Sequence, residues 1–270
     1  MFSIDLDCPQ ADKDIMIADL FEAGCTGINE LEEWDDIVRL RVFFDTGANE
    51  AALVARFGGV AAPADTRDWV AFAREHLHPM EIGERIYVVP EWRDDPTPQG
   101  RIRIVTNAGL AFGTGAHQTT RLCLEAVERQ VRPGMTIVDI GTGSGILSEA
   151  ALKLGARRAF ASDTDPQAAA AALENFERAG VRVPIFTGSA DAVADGVADL
   201  IVANISPAWV AELASDWFRI LKPGGLAILS GFEGPDVAGV QAALTKAGMV
   251  VEAEYGELEW RMLEARKPIQ

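Results

Sequence analysis

The sequence predicts an α/β protein in two parts. A small α+β domain covers about the first 60 residues, and a larger domain is built on a parallel sheet with helices on both faces. Three observations carry this reading. From about Gln118 onward, short apolar strands (TIVDI, RAFASD, ADLIVANI, LAILSG) alternate with helical segments, as a parallel sheet with helical crossovers requires. Before residue 60 the order is instead βαββα. Finally, two glycine-rich stretches, AFGTGAHQTT (111–120) and VDIGTGSGI (138–146), stand on either side of one helical segment. Glycine is entropically costly to order, so each cluster marks a close approach of the backbone to something else.

Element by element, MFSIDLD alternates as a strand, with Phe2, Ile4 and Leu6 on one face. DKDIMIADLFEAG carries Ile15, Ala18, Leu20 and Phe21 at helical spacing and stops at Gly24. A weaker strand over Gly27–Glu32 and a stronger one over Asp36–Phe44 follow, then a helix, ANEAALVARFGG, closed by Gly58 and Gly59. ERIYVVPEW and GRIRIVTN read as strands separated by the turn-rich RDDPTPQG. The expected division is residues 1–63 as the first domain, 64–79 as a linker with one short helix closed by Pro79, and 80–270 as the second domain.

Composition narrows the function classes. With 49% apolar residues in 270, the chain can bury a sizeable core. The formal net charge of −17 excludes tracking of a phosphate backbone, which needs clustered Lys and Arg, so no direct nucleic-acid binding is expected. A basic partner is the natural complement. Residues 1–60 hold 13 Asp and Glu against 4 Lys and Arg, which reads either as a solvated acidic face or as a surface that steers a basic protein in. Cys8, Cys25 and Cys123 lack C-x-x-C spacing and are expected to be reduced thiols packed as small hydrophobes. The histidines and cysteines show no metal-ligand spacing beyond the pair His76 and His78, which reads as a helix end. The opening MFSIDLDCPQ has no signal-peptide pattern and no stretch is apolar enough to span a bilayer. A cytoplasmic protein is expected.

The glycine loop identifies a cofactor class. In TIVDIGTGSGILSEAALKLG a buried strand meets a glycine turn that opens a helix, whose N-terminus suits an anionic group. Gly141, Gly143 and Gly145 are spaced G-x-G-x-G; a dinucleotide fingerprint needs its third glycine where Ile146 stands, and no Walker Gly-Lys-Ser/Thr follows. Asp163 ends the next strand, where an acid accepts the hydroxyls of a ribose and repels a 2′-phosphate. Asn204 ends a further strand on the same rim, either as a turn former or as a group that both donates and accepts. A nucleoside with a phosphate-free anionic tail is called for, and S-adenosyl-L-methionine fits.

HPMEIGERIYVVPEWRD, AFGTGAHQTTRLCLEAV, VDIGTGSGILSEAALKLGA, SDTDPQA, VANI and EWRMLEAR occur in that order. Together they resemble the bacterial PrmA family, whose members methylate large-subunit ribosomal protein L11. The resemblance runs from about Asp68 onward and is looser before that. It implies an N-terminal substrate-recognition domain of ferredoxin-like type and a class I methyltransferase domain, Rossmann-like, with a seven-stranded, mostly parallel, doubly wound sheet. It also implies cofactor contacts at Thr120, Gly141, Asp163 and Asn204, with Gly143 in the same loop, and with AFGTGAHQTT folded over the cofactor as a lid. The implied activity is N-methylation of a basic ribosomal protein at its α-amine or lysines, with Asn204 orienting the amine. Thr119 and Thr120 have plain helix N-caps as their simplest reading, and His117 that of a loop residue without chemistry. Gln118, Ser206 and Pro207 depart from the family pattern, the last two near where the amine enters. Other readings of the same residues are methylation of a different basic protein, a cofactor-binding module without turnover, and a nucleotide-dependent oxidoreductase, which the glycine spacing disfavours.

Overall fold

A computed structural model describes residues 2–34, 36–45, 47–63, 78–106 and 115–269. The expected linker helix falls in 64–77, outside the described residues, as do His76 and the first four residues of AFGTGAHQTT. The chain divides into two compact units, residues 1–72 and 73–270.

The N-terminal unit runs β1 (Phe2–Pro9), α1 (Lys13–Glu22), β2 (Gly27–Trp34), β3 (Ile37–Phe44), α2 (Glu50–Phe57) and β4 (Val60–Pro63). Its sheet order is β2-β3-β1-β4, with antiparallel neighbours throughout. This is the ferredoxin-like arrangement. The alternation read in the sequence sorts the two faces. Ile4, Leu6, Leu40, Val42 and Phe44 turn inward and pack with Leu20 of α1 and Leu53 of α2. The side chains between them stand on the other face, where Asp5 lies opposite Arg41 and Asp7 opposite Arg39. Both pairs are two-pronged, at 2.6–2.7 Å for Arg41 on Asp5 and 2.6–2.9 Å for Arg39 on Asp7. The facing Arg41 guanidinium holds the Asp5 carboxyl below its usual range. Asn49 caps α2 by accepting from the Ala52 N–H at 3.1 Å. Strand β4 goes beyond the βαββα read from sequence; four residues with little alternation gave no period to detect.

The C-terminal unit opens with a three-stranded sheet of β5 (Met80–Ile82), β6 (Ile86–Pro90) and β7 (Ile102–Thr106). Then follow α3 (Gln118–Gln130), β8 (Thr136–Ile140), α4 (Ile146–Lys153), β9 (Arg158–Asp163), α5 (Pro166–Ala179), β10 (Ile185–Thr187) and β11 (Ala198–Asn204). The unit ends with α6 (Pro207–Glu212), α7 (Ala214–Ile220), β12 (Leu221–Glu233), α8 (Val237–Lys246), β13 (Val250–Glu257) and β14 (Trp260–Arg266). The seven-stranded order is β10-β9-β8-β11-β12-β14-β13. Strands β10 to β12 pair in parallel, and β14 runs antiparallel between β12 and β13. The central strands are covered on both faces, as an all-apolar strand requires. Ile137, Leu200, Val202 and Ile228 meet one helical layer, containing α3, α4 and α5. Val138, Ile140, Ile201 and Ala203 meet the other, around Trp217 and Val240. Cys8, Cys25 and Cys123 are all buried and free, and burial raises each thiol above its ordinary range. Among the described residues no helix is long and apolar enough to cross a membrane.

The order of the strands reverses between β8 and β11, and the connections leaving them turn to opposite faces of the sheet, which leaves a crevice beyond their paired C-terminal ends. Two glycines set the local geometry of that rim. At Gly141, with φ +69°, an added Cβ would lie 2.3 Å from Ile205 Cγ2; at Gly231, with φ +101°, it would lie 2.2 Å from the Ile205 carbonyl oxygen. The segment after β11 is thus held between two strand ends that come too close for any side chain. Gly231→Ala combines left-handed strain with a backbone clash, and is expected to cost about 2–4 kcal/mol of stability. Urea unfolding measures this; an unchanged midpoint would show that the rim yields freely.

Candidate active site

The crevice is a cavity of about 360 Å³ bordered by Thr120, Gly141, Gly143, Asp163 and Asn204. Four different elements deliver these residues. Thr120 comes from the first turn of α3, the glycines from the β8–α4 loop, Asp163 from the end of β9 and Asn204 from the end of β11. All five site residues read from sequence therefore meet at one place. A smaller recess of about 120 Å³ adjoins it, sharing Gly141, Thr164 and Ile205, and is closed by Ser189, Trp209 and Leu213.

The glycine loop is shaped by backbone pairing. The N–H groups of Gly141 and Thr142 both donate to the Ser162 carbonyl, at 2.9 and 3.0 Å, tying the loop to the end of β9. Gly143 N–H donates to Asp163 Oδ2 at 2.9 Å and Asp165 N–H to Asp163 Oδ1 at 3.0 Å. Each carboxylate oxygen has two lone-pair sites. Two backbone donors therefore fix the Asp163 carboxylate and leave one site on each oxygen for a pair of vicinal hydroxyls.

Beneath the loop lies a residue that the sequence reading passed over. Asp139, an acid inside the apolar strand TIVDI, is fully buried. Its Oδ2 accepts from Thr142 Oγ1 at 2.8 Å, Ser148 Oγ at 2.8 Å and the Ser148 N–H at 3.2 Å, joining β8, the loop and α4. Its Oδ1 has no partner among the described residues. Burial pushes the Asp139 carboxyl up to about 6, against the opposing pull of the Ser148 and Thr142 hydrogen bonds. A charged residue within an otherwise apolar buried strand is the signal that would have found it.

Helix α3 begins with His117 at its N-cap, where Nδ1 accepts from the Thr119 N–H at 3.4 Å. Thr119 and Thr120 are therefore not the caps; they lie inside the first turn, buried. Their hydroxyls face Asn204, whose Nδ2 donates to Thr119 Oγ1 at 3.1 Å and to Thr120 Oγ1 at 3.4 Å. Asn204 Oδ1 is buried without a partner among the described residues. Of the departures noted in the sequence, Gln118 is the first residue of α3, and Ser206 and Pro207 are the N-cap and first residue of α6. Proline suits that first position, since its missing N–H has no helical partner there.

The cavity's chemistry limits its ligand. Its border carries two carboxylates, Asp163 and Asp165, and no lysine or arginine among the described residues. A pyrophosphate or 2′-phosphate would have no counter-charge. A nucleoside with a cationic centre matches the carboxylates.

A seven-stranded sheet with one antiparallel strand, a glycine loop after its central strand and an acid at the tip of the next define a class I methyltransferase. Within that class, the family model for ribosomal protein L11 methyltransferase (PrmA) matches residues 60–268, and the chain belongs to this family. A relative from Symbiobacterium thermophilum, named ribosomal protein L11 methyltransferase, is 37% identical over 243 residues, covering 88% of this chain and 79% of the relative. Another of that name, from Desulfosudis oleivorans, is 41% identical over 216 residues, covering 76% and 70%. The crystal structure of a ribosomal protein L11 methylase from Lactobacillus delbrueckii subsp. bulgaricus superposes with a TM-score of 0.66 at 34% identity, covering 71% of this chain and all of that one.

Asp139 ties the site to pH. Its folded value, near 6, lies above the ordinary 3.8, so its contribution to stability is fully present below about pH 4 and is lost as pH rises through 6. Relative to Asp139→Asn, the protein is expected to gain roughly 2 kcal/mol of stability between pH 7.5 and 4.5. Parallel denaturation curves across that range test it, and a constant difference would mean that the buried carboxyl titrates normally.

Proposed function

We propose that this chain transfers methyl groups from S-adenosyl-L-methionine to amines of large-subunit ribosomal protein L11, at its N-terminal α-amine, its lysine side chains or both. The observation that carries the reading is the convergence of Thr120, Gly141, Gly143, Asp163 and Asn204 on one cavity whose border carries carboxylates and no lysine or arginine among the described residues. The names of the chain's relatives support the substrate.

In this reading Asp163 accepts the ribose hydroxyls with the lone pairs its backbone donors leave free. Gly141 and Gly143 let the loop approach the ligand without intervening side chains, and the Thr120 hydroxyl lines the opposite wall. The bound cofactor supplies a methyl group on a positively charged sulfur. The protein's task is to present a neutral amine nitrogen in line with that carbon and to exclude water. Asn204 Oδ1 accepts one N–H of the incoming amine, which turns the nitrogen lone pair toward the methyl carbon. An α-amine, with a pKa of about 8, is partly neutral at pH 7; a lysine near 10.4 is not, but desolvation beside a cationic sulfur favours its neutral form. No dedicated base is needed. Asp139 lies behind the loop, and Asp163 is occupied by its two backbone donors together with the ribose hydroxyls.

The N-terminal unit serves as the docking element for the substrate. Ion pairs engage Lys13 with Glu30, Arg39 with Asp7 and Arg41 with Asp5. The remaining acids of the first 60 residues far outnumber the single remaining cation, Arg56. A basic protein is drawn to such a surface by long-range attraction that salt weakens.

The test is methyl transfer from labelled S-adenosyl-L-methionine to purified L11, with mass mapping of the modified amines. Label on the N-terminus or lysines is expected in the wild type, with a loss of about 100-fold in turnover for Asn204→Ala. Cofactor binding without label on L11 would overturn the substrate, and unchanged turnover in Asn204→Ala would overturn the role of that residue.

A further inference from the structure

Asn204 can act as an acceptor toward the cavity only if its amide is turned with the oxygen outward, and its immediate neighbours do not decide that. Thr119 and Thr120 are hydroxyls, which donate or accept with equal ease. Either amide orientation would satisfy them. The decision has to come from a group that can play one role only.

His117 is such a group. Two groups of Thr119 meet its Nδ1: the backbone N–H, which donates at 3.4 Å as the cap of α3, and the hydroxyl at 2.8 Å. A backbone N–H has no alternative but to donate, so Nδ1 carries a lone pair and the ring proton sits on Nε2. The Thr119 hydroxyl proton then points to His117, leaving its oxygen lone pairs for Asn204. The Asn204 Nδ2 group is the donor that fits them, at 3.1 Å. Its Oδ1 is left as a buried acceptor without a partner among the described residues, on a residue that borders the cavity. The imidazole is itself held in place, edge to face with Trp260 of β14 at a centroid distance of 4.7 Å.

We infer that His117 is a positioning residue for methyl transfer: through the Thr119 hydroxyl, its Nδ1 lone pair sets the direction of the Asn204 amide. His117 touches neither amine nor cofactor in this scheme. The inference rests on the proposed role of Asn204 Oδ1 as amine acceptor, but the orientation itself is measurable without turnover.

Three variants separate the possibilities. His117→Ala removes the acceptor. His117→Asn restores a carbonyl oxygen at the cap, a residue favoured there. Thr119→Val removes the relaying hydroxyl while leaving the cap untouched, and serves if the alanine variant folds poorly. The Asn204 side-chain amide is followed by nitrogen-15 NMR in cofactor-free protein, assigned by its loss in Asn204→Ala. Wild type and His117→Asn should give one amide species protected from exchange. His117→Ala and Thr119→Val should lose at least about fivefold in protection or show a second species. In the methyl-transfer assay the same two variants should lose about tenfold in kcat, with the Kd for S-adenosylhomocysteine within about threefold of wild type and His117→Asn largely restored. Identical amide signals in all four proteins, or equal kcat in His117→Ala and His117→Asn, would overturn the inference. Absence of L11 methylation by the wild type would instead count against the function proposed above, while the amide spectrum would still decide the relay.

Discussion

The site depends on how a glycine-rich turn with little intrinsic stiffness is kept in one shape above a parallel sheet. Glycine allows the close approach that a cofactor needs but supplies no side chain to hold it. The solution here is a buried carboxylate. Asp139 gathers two hydroxyls and a backbone N–H on one oxygen, clamping strand, loop and helix start from below. From above, the Asp163 carboxylate takes the Gly143 N–H. The turn is therefore gripped by two acids, one hidden and one facing the ligand. Burying the first is unfavourable in itself, which its raised pKa records, and that cost is the reverse side of a rigid loop.

The same rim shows a division between what is fixed by packing and what is fixed by hydrogen-bond direction. Ile205 is wedged against Gly141 and Gly231 with no room for a side chain at either, so the backbone that carries Asn204 has little freedom. The amide beyond it does have freedom, since a half-turn about its terminal bond exchanges nitrogen and oxygen with almost no change in shape. Packing alone leaves that choice open, and the hydrogen-bond chain to the start of α3 closes it. In the N-terminal unit, by contrast, the cross-strand pairs Asp5–Arg41 and Asp7–Arg39 set each of two neighbouring acids on β1 against a cation of β3.

Much of this was legible in the sequence because it rests on periodicity and on residue types with few uses. TIVDI, RAFASD and ADLIVANI became the central strands since continuous apolar runs have no stable place other than between two layers. Gly141, Asp163 and Asn204 stood out as polar or glycine residues at the ends of such runs, and the sheet brought them together. The resemblance supplied Thr120, for which no local pattern spoke. Three things escaped. Strand β4 is too short to show a period. Asp139 was hidden by its apolar neighbours, although an acid there had to find partners. His117 read as a loop residue because its importance lies in which nitrogen is bare, and that is set by a backbone N–H two residues on, not by composition.

Strand β14 is the last of the seven in chain order, yet it lies between β12 and β13 and pairs with both. Until residues 260–266 are present, those two strands have no edge to share, and the outer third of the sheet has no means of closing. The antiparallel strands β13 and β14 meet as a hairpin, Glu257 opposite Trp260, whereas β8 and β11 of the parallel half pair only after the whole β9–β10 segment between them; long-range pairing of that kind is slow and leaves strand edges open in the interval. The wall against which His117 rests, through Trp260, belongs to β14 itself. One strand therefore both closes the outer sheet and backs the helix start whose threonines meet Asn204.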